Sequence, residues 1–220
     1  MSVEQFLRSI PLFYCLEGHD LAALAASAHT RTYGRGDLLS QPAHPAQVIS
    51  FVDQGGVRLY LLDDEGRQFT VSARRPGDYF WQVSLDAAGA PQSWVEALTG
   101  GTVVHRFPRG RFDALVARYP ALALALNADL SRHLGETFLR LKDACLCSVE
   151  VALAHTLLRL AEGDPPVVAA THDELAAYLG TSRERVTKIL HGWQRAGLIH
   201  QLHRGAVCIA DPQRLGALRN

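Results

Sequence analysis

Twenty residues, Thr171 to Leu190, constrain the fold of this chain more than any others. Thr171 followed by Glu174 reads as a capping box, in which each side chain satisfies a backbone N–H of the other. Leu175, Ala176 and Leu179 follow at helical spacing and mark the inner face of a short helix. Gly180 permits a tight turn, and Ser182 is placed to cap a second helix with Val186, Ile189, Leu190 and Trp193 on its inner face. Small Ala176 lets the two helices approach closely. Helix, glycine turn and helix at this spacing predict a helix-turn-helix. Downstream, Gly197-Leu198-Ile199 closes the second helix and opens a strand. Arg204-Gly205 turns, and Ala206 to Ala210 returns, which makes a wing.

The outward face of the second helix carries charge. Glu184 and Lys188 stand four apart on one face, flanked by Arg183 and Arg185. On an isolated helix these four would read as a solvated face with an ordinary ion pair. Directly after the turn of a helix-turn-helix they read as a set that meets base edges. Lys and Arg donate to guanine O6/N7, and a carboxylate accepts from cytosine N4. Thr171, Ser182, Arg185, Thr187 and Arg204 are candidates for contacts to DNA phosphates, which position without specifying sequence. The whole chain has a formal charge of +0. Residues 171–220 hold seven Lys/Arg and four Asp/Glu, and 7 − 4 = +3, so the rest carries −3. A basic end on a neutral chain fits a specialised module for double-stranded DNA rather than indiscriminate binding.

Pro120 suits a first helical position, and from there to about Cys147 no further proline occurs. Leu130, Leu134, Thr137, Leu141, Ala144 and Ser148 follow 4-3-4-3-4 spacing, a heptad seam through which two long helices pair. A helix of this length reaches roughly 40 Å at 1.5 Å per residue, more than a small domain covers easily. The pattern therefore predicts a homodimer. Ser148 caps a following helix, Val149 to Ala161, which ends at Gly163-Asp164-Pro165-Pro166.

The first thirty residues read as helical, with Leu16, Leu21 and Leu24 inward. From Arg31 to Phe107 short apolar segments recur: Val48–Val52, Val57–Leu61, Phe69–Val71 and Thr102–Val104. Turn clusters separate them, at Gly34–Asp37, Gln54–Gly56, Asp63–Gly66 and Pro76–Asp78. Strands and turns at this spacing predict a β-roll, barrel or sandwich. The expected class is α+β, in three parts: a jelly-roll-like β-roll domain over residues 1–119, a long dimerisation helix over 120–147, and a winged helix-turn-helix domain over 148–220.

No apolar run approaches the ~20 residues that span a bilayer. Met1 to Phe13 lacks the basic start and apolar centre of a signal peptide, so a cytoplasmic location without membrane contact is expected. Cys15, Cys145, Cys147 and Cys208 form no CxxC pair, and none of the ten histidines forms HxxxH or HExxH. With no phosphate-binding loop, metal-ligand spacing or Ser-His-Asp context either, no enzyme and no metal site is expected. A thiol switch at Cys145 and Cys147 near the hinge is the alternative to inert free thiols.

The order of parts resembles the cyclic-AMP receptor protein/fumarate-nitrate regulator family. The likeness covers nearly the whole chain. It is sharpest in Thr181-Ser182-Arg183-Glu184-Arg185-Val186-Thr187-Lys188, which is similar to the family's Ser-Arg-Glu-x-Val-x-Arg recognition helix. The β-roll glycines at Gly36, Gly56, Gly66 and Gly77 and the stretch from Pro120 to Leu160 match as well. The resemblance implies a cyclic-nucleotide-binding-like sensor domain and a dimeric transcription regulator. It implies palindromic sites with halves similar to TGTGA, Arg183, Glu184 and Lys188 as base readers, and RNA polymerase as a partner.

Two departures stand out. Lys188 occupies the position of a family arginine, and a point charge lacks the bidentate fork for guanine. Trp81 and Gln82 stand where cyclic-nucleotide binders carry Gly-Glu, and Pro91-Gln92-Ser93-Trp94 replaces the Arg-Ser pair that holds the cyclic phosphate. Burying that phosphate without an arginine is costly, so cyclic AMP is not expected as the ligand. Thr137 is retained, but Phe138 follows it where adenine binders have a polar residue. Trp81, Gln82, Trp94, Thr137 and Phe138 are thus candidates to line a small apolar effector pocket. Alternatively, the aromatic group Tyr79, Phe80, Trp81 and Trp94 is plain core. Cys15 is alone near the N-terminus, which disfavours the family's iron–sulfur mechanism. No cofactor is expected; haem, on His19, His29, His44, His105 or His133, is the remaining alternative.

Overall fold

Short strands with buried apolar residues build the N-terminal half. The computed structural model describes residues 1–40, 47–66, 68–81, 93–202 and 205–218. Contacts within it group Met1–Leu61 with Val71–Gly135, and Leu62–Thr70 with Glu136–Asn220.

In the first unit the chain begins with α1 (Val3–Ser9), a 3-10 turn at Pro11–Phe13 and α2 (Gly18–Ala26). The 3-10 turn that starts at Pro11 and the N-cap position at Glu17 divide the N-terminal helical stretch in two. Eight strands follow: β1 (His29–Tyr33), β2 (Leu38–Ser40), β3 (Val48–Gln54), β4 (Val57–Leu62), β5 (Gln68–Arg74), β6 (Tyr79–Phe80), β7 (Trp94–Ala97) and β8 (Thr102–Pro108). They form two four-stranded sheets, ordered β1-β8-β3-β6 and β2-β7-β4-β5. The expected β-roll is therefore present. Val52, Val57, Phe80, Val95, Ala97 and Val104 pack between the sheets. On β3, side chains alternate: Ile49 and Phe51 join a second cluster with Phe6, Leu7, Leu21, Leu24 and Phe112. Phe112 belongs to α3 (Arg109–Arg118), a helix the sequence reading lacked because Phe112 is its one fully buried residue.

The long helix α4 runs from Pro120 to Leu146, within a residue of expectation. Leu122 and Leu126 on its first turns join the helix-covered side of the roll.

The second unit holds α5 (Val149–Leu160), β9 (Val167–Ala169), α6 (His172–Leu179), α7 (Arg183–Arg195), β10 (Ile199–Leu202), β11 (Ala206–Ile209) and α8 (Pro212–Gly216). Ser148 caps α5, its hydroxyl accepting from the Val151 N–H at 3.4 Å. Strands pair antiparallel in the order β10-β11-β9, with Ile199 opposite Ile209. One core joins all these elements through Leu153, Leu157, Val168, Leu175, Val186, Leu190, Trp193, Ile199, Val207 and Leu215. Polar Arg140 on α4 is enclosed here. Its guanidinium lies 5.8 Å from the Phe69 ring and 5.1 Å from that of Tyr178, and it donates to the Thr70 and Tyr178 carbonyls.

Candidate nucleic-acid interface

The turn between α6 and α7 is fixed by local chemistry. The Thr171 N–H donates to Glu174 Oε2 at 2.7 Å, and the Glu174 N–H donates back to Thr171 Oγ1 at 3.2 Å, completing the capping box. Gly180 ends α6 in the left-handed region at φ 60°. A Cβ there would come within 3.2 Å of the Phe69 ring, so backbone conformation and space both select glycine. Ser182 then caps α7, accepting from the Arg185 N–H at 3.4 Å.

Helix α7 is held from behind by Val186 and Leu190, both fully buried. Trp193, one turn on, donates from Nε1 to Glu150 Oε1 on α5 at 3.0 Å. A further tie was not foreseen in the sequence: His172 Nδ1 lies 2.8 Å from Thr187 Oγ1 and links the start of α6 to the second turn of α7, near its middle. Burial holds the His172 imidazole below its usual pKa, and the charges of His191 and Arg183 push it the same way. The sequence signal was a histidine directly after an N-cap, eight residues before the turn glycine Gly180.

What remains outward is polar. Arg183, Glu184, Arg185 and Lys188 are exposed. Arg183 lies 3.5 Å from Asp173, an exposed pair of small energetic weight. The Glu184 carboxyl sits below its usual pKa, through a hydrogen bond from its own backbone N–H, then one from the Ser182 hydroxyl. It therefore leans on the positive end of α7, and no Glu184–Lys188 ion pair occurs among the described residues. The structure thus brings Thr171, Ser182, Arg183, Glu184, Arg185, Thr187 and Lys188 to one end of the helix pair. The hydroxyls of Thr171 and Thr187 are already engaged internally. Arg204 lies outside the described residues.

The seam of α4 is bare. Leu130, Leu134 and Leu141 are 45%, 56% and 56% exposed, and Thr137 and Ala144 are exposed as well. The three leucines and Ala144, in heptad register with Thr137 among them, make a largely apolar stripe.

Of the candidate effector residues, Trp81 stacks on Tyr79 with centroids 5.3 Å apart, and the Arg109 guanidinium lies 5.1 Å from its ring. Trp94 sits in the other sheet, opposite Tyr60 in register and stacked on it at 6.4 Å. Its strand neighbour Val95 is buried between the sheets, so Trp94 projects from the other face. Thr137 and the exposed Phe138 belong to the second unit, and Gln82 lies outside the described residues. Of the haem candidates, His105 is committed to Thr30 at 2.8 Å and Asp53 at 3.3 Å. His44 is outside the described residues.

A winged helix-turn-helix with a basic, exposed second helix, following a two-sheet roll and a long apolar-striped helix, defines a DNA-binding regulator class. Residues 151–218 match the Crp-like helix-turn-helix domain, and residues 30–119 match the cyclic nucleotide-binding domain. Similar relatives include the cyclic AMP receptor protein of Thermus thermophilus, 29% identical over 194 residues, covering 88% of this chain and 89% of that one. Among solved structures, FixK2 of Bradyrhizobium japonicum shares the fold at TM-score 0.76 and 20% identity, over 88% of this chain and 98% of that one. A CRP/FNR-family regulator of Thermus thermophilus matches at TM-score 0.64 and 26% identity, over 87% and 100%. The chain belongs to the cyclic-AMP receptor protein/fumarate-nitrate regulator family of sequence-specific, DNA-binding transcription regulators. No helix among the described residues is long and apolar enough to cross a membrane.

Proposed function

We propose that the chain acts in the cytoplasm as a homodimer on palindromic promoter sites, without cyclic AMP and without catalysis. The carrying observation is the division of α7. Val186, Leu190 and Trp193 fix it to its domain, while Arg183, Glu184 and Lys188 stand exposed at its first two turns. In this reading the Leu130–Ala144 seam pairs two α4 helices, and the paired domains set two recognition helices into major grooves about 34 Å apart. Arg183 and Lys188 donate to guanine, and Glu184 accepts from cytosine. Backbone and side chains at Thr171, Ser182, Arg185, Thr187 and Arg204 hold phosphates. Residues 1–119, 120–147 and 148–220 serve as sensor-like, pairing and reading parts. Exposed protein surface recruits or blocks RNA polymerase.

Independence from cyclic AMP is supported by Trp81. Its ring stands at the family's Gly position and is itself packed between Tyr79 and Arg109. Arg109 is also drawn to Asp113 at 2.7 Å.

Selection of bound sequences from a random DNA pool, with purified ligand-free protein, tests the reading. Enrichment of a two-fold palindrome is expected. Glu184→Ala should relax discrimination at one base pair of each half-site while leaving the dimer intact. An unchanged base preference would remove Glu184 from the readout. No enrichment without ligand, with enrichment on adding cyclic AMP, would overturn ligand independence.

A further inference from the structure

Three potential metal-ligating side chains converge where α4 meets α5. Asp143 lies near the end of α4, Cys147 four residues later just past it, and His155 on the second turn of α5. The i,i+4 spacing brings Asp143 and Cys147 to one side. Their ligand atoms all lie within 4.8 Å of one another. His155 Nδ1 is 2.8 Å from Asp143 Oδ1, and Cys147 Sγ is 3.9 Å from the same oxygen. The carboxylate's other oxygen accepts from Arg159 at 2.6 Å, and Arg159 also donates to the Thr156 hydroxyl at 3.2 Å. The Asp143 side chain is 7% exposed, whereas His155 and Cys147 are partly exposed and open the group to solvent.

We propose that Asp143, Cys147 and His155 form a binding site for a borderline-soft divalent cation of the zinc class. One carboxylate oxygen, one thiolate and one imidazole nitrogen are a donor set that zinc accepts, with a fourth position left for water. Arg159 keeps Oδ2 and orients the ligating carboxylate, the role of an outer partner in such sites. Binding requires two proton movements. The Cys147 thiol releases its proton to solvent, and the His155 ring carries its proton on Nε2 so that the Nδ1 lone pair faces the ion. The ion replaces the hydrogen bond between His155 and Asp143 and ties the end of α4, the turn and α5 together. This proposal stands apart from the DNA-binding reading, because its test reads the metal alone.

The test is titration of reduced, chelator-stripped full-length protein with cobalt(II), the spectroscopic stand-in for zinc. One ion per chain and a thiolate-to-cobalt charge-transfer band are expected, with zinc displacing the cobalt. Cys147→Ser abolishes the band, and Cys145→Ser, which removes a thiol outside the group, preserves it. His155→Gln weakens binding by about tenfold or more, at least the loss typical of an outer-shell partner. Far-ultraviolet circular dichroism confirms that each variant is folded. Absence of the band at saturating cobalt, its persistence in folded Cys147→Ser, or its loss in folded Cys145→Ser overturns the site. The group is then an ion-pair brace only.

Discussion

Truncating Leu134 to Ala tests the α4 seam, and the size of the effect follows from exposure. Full burial of a leucine side chain is worth about 1.5–3 kcal/mol. Leu134 is 56% exposed in the single chain, so pairing has roughly half of that left to gain, about 1–1.5 kcal/mol. Two-fold symmetry counts the loss twice. The dimer should weaken by about 2–3 kcal/mol, or roughly 30- to 150-fold in dissociation constant. Sedimentation velocity over a dilution series measures this directly. Leu139→Ala supplies the control. Leu139 is 52% exposed, nearly the same, yet sits two residues from both Thr137 and Leu141 and so off the seam. Equal weakening by both variants would show that general helix surface, not the seam, is at work. An unchanged constant in Leu134→Ala would refute pairing through this stripe. DNA affinity should fall along with dimerisation, since each half-site then binds alone.

Two further predictions concern the reading module. Lys188→Arg restores a bidentate fork, so it should sharpen guanine preference at the contacted position by about 1 kcal/mol or more; an unchanged selection profile would place Lys188 on phosphate or solvent instead. His172 makes stability depend on pH. Its folded pKa is depressed, whereas the unfolded chain takes up the proton near pH ~6.5. The unfolded state then binds more protons below that point, so the contribution is present above it and is lost as pH falls towards the folded value. The urea midpoint should drop on acidification from about pH 7 to about pH 5.5, and more steeply than in His172→Gln; coincident slopes would sink this account.

The parts most legible in the sequence were those whose local chemistry and long-range packing agree. The capping box at Thr171, the turn at Gly180 and the cap at Ser182 each specify backbone geometry within four residues, and α6 and α7 appear where that chemistry puts them. The heptads of α4 were equally plain, because nothing in the single chain interrupts them. Strand β1 was missed for the opposite reason. His29, Thr30, Arg31 and Thr32 are all exposed, and pairing with β8 rather than alternation makes them a strand. The aromatic residues offered no way to tell apart the two faces of one sheet from the two sheets of a roll. Only the strand pairing shows that Trp94 belongs to one sheet and that Trp81 follows a strand of the other. Arg140 and the Asp143–Cys147–His155 group were hidden likewise, since the partners of Arg140 come from 38 to 71 residues away and His155 reaches Asp143 across 12 residues and a turn.

The ties behind α7 bear on how strongly the module can discriminate. Binding energy is lost in ordering whatever is mobile beforehand. Here the helix is fixed at its start by Ser182, near its middle by the Thr187–His172 contact and towards its end by the Trp193–Glu150 bond. The backbone of the recognition helix therefore has little left to order on DNA. The ordering cost falls on four exposed side chains, of which Glu184 is already drawn to the helix N-terminus. To accept from cytosine this exposed carboxylate must give up its hydration, so its net gain from the correct base is small. Its larger effect is on wrong bases: a carboxylate opposite a guanine or thymine acceptor in the major groove is repelled and left without a donor. Glu184 should therefore act mainly by excluding mismatches. Glu184→Ala accordingly should broaden the set of sites bound more than it weakens binding to the preferred one.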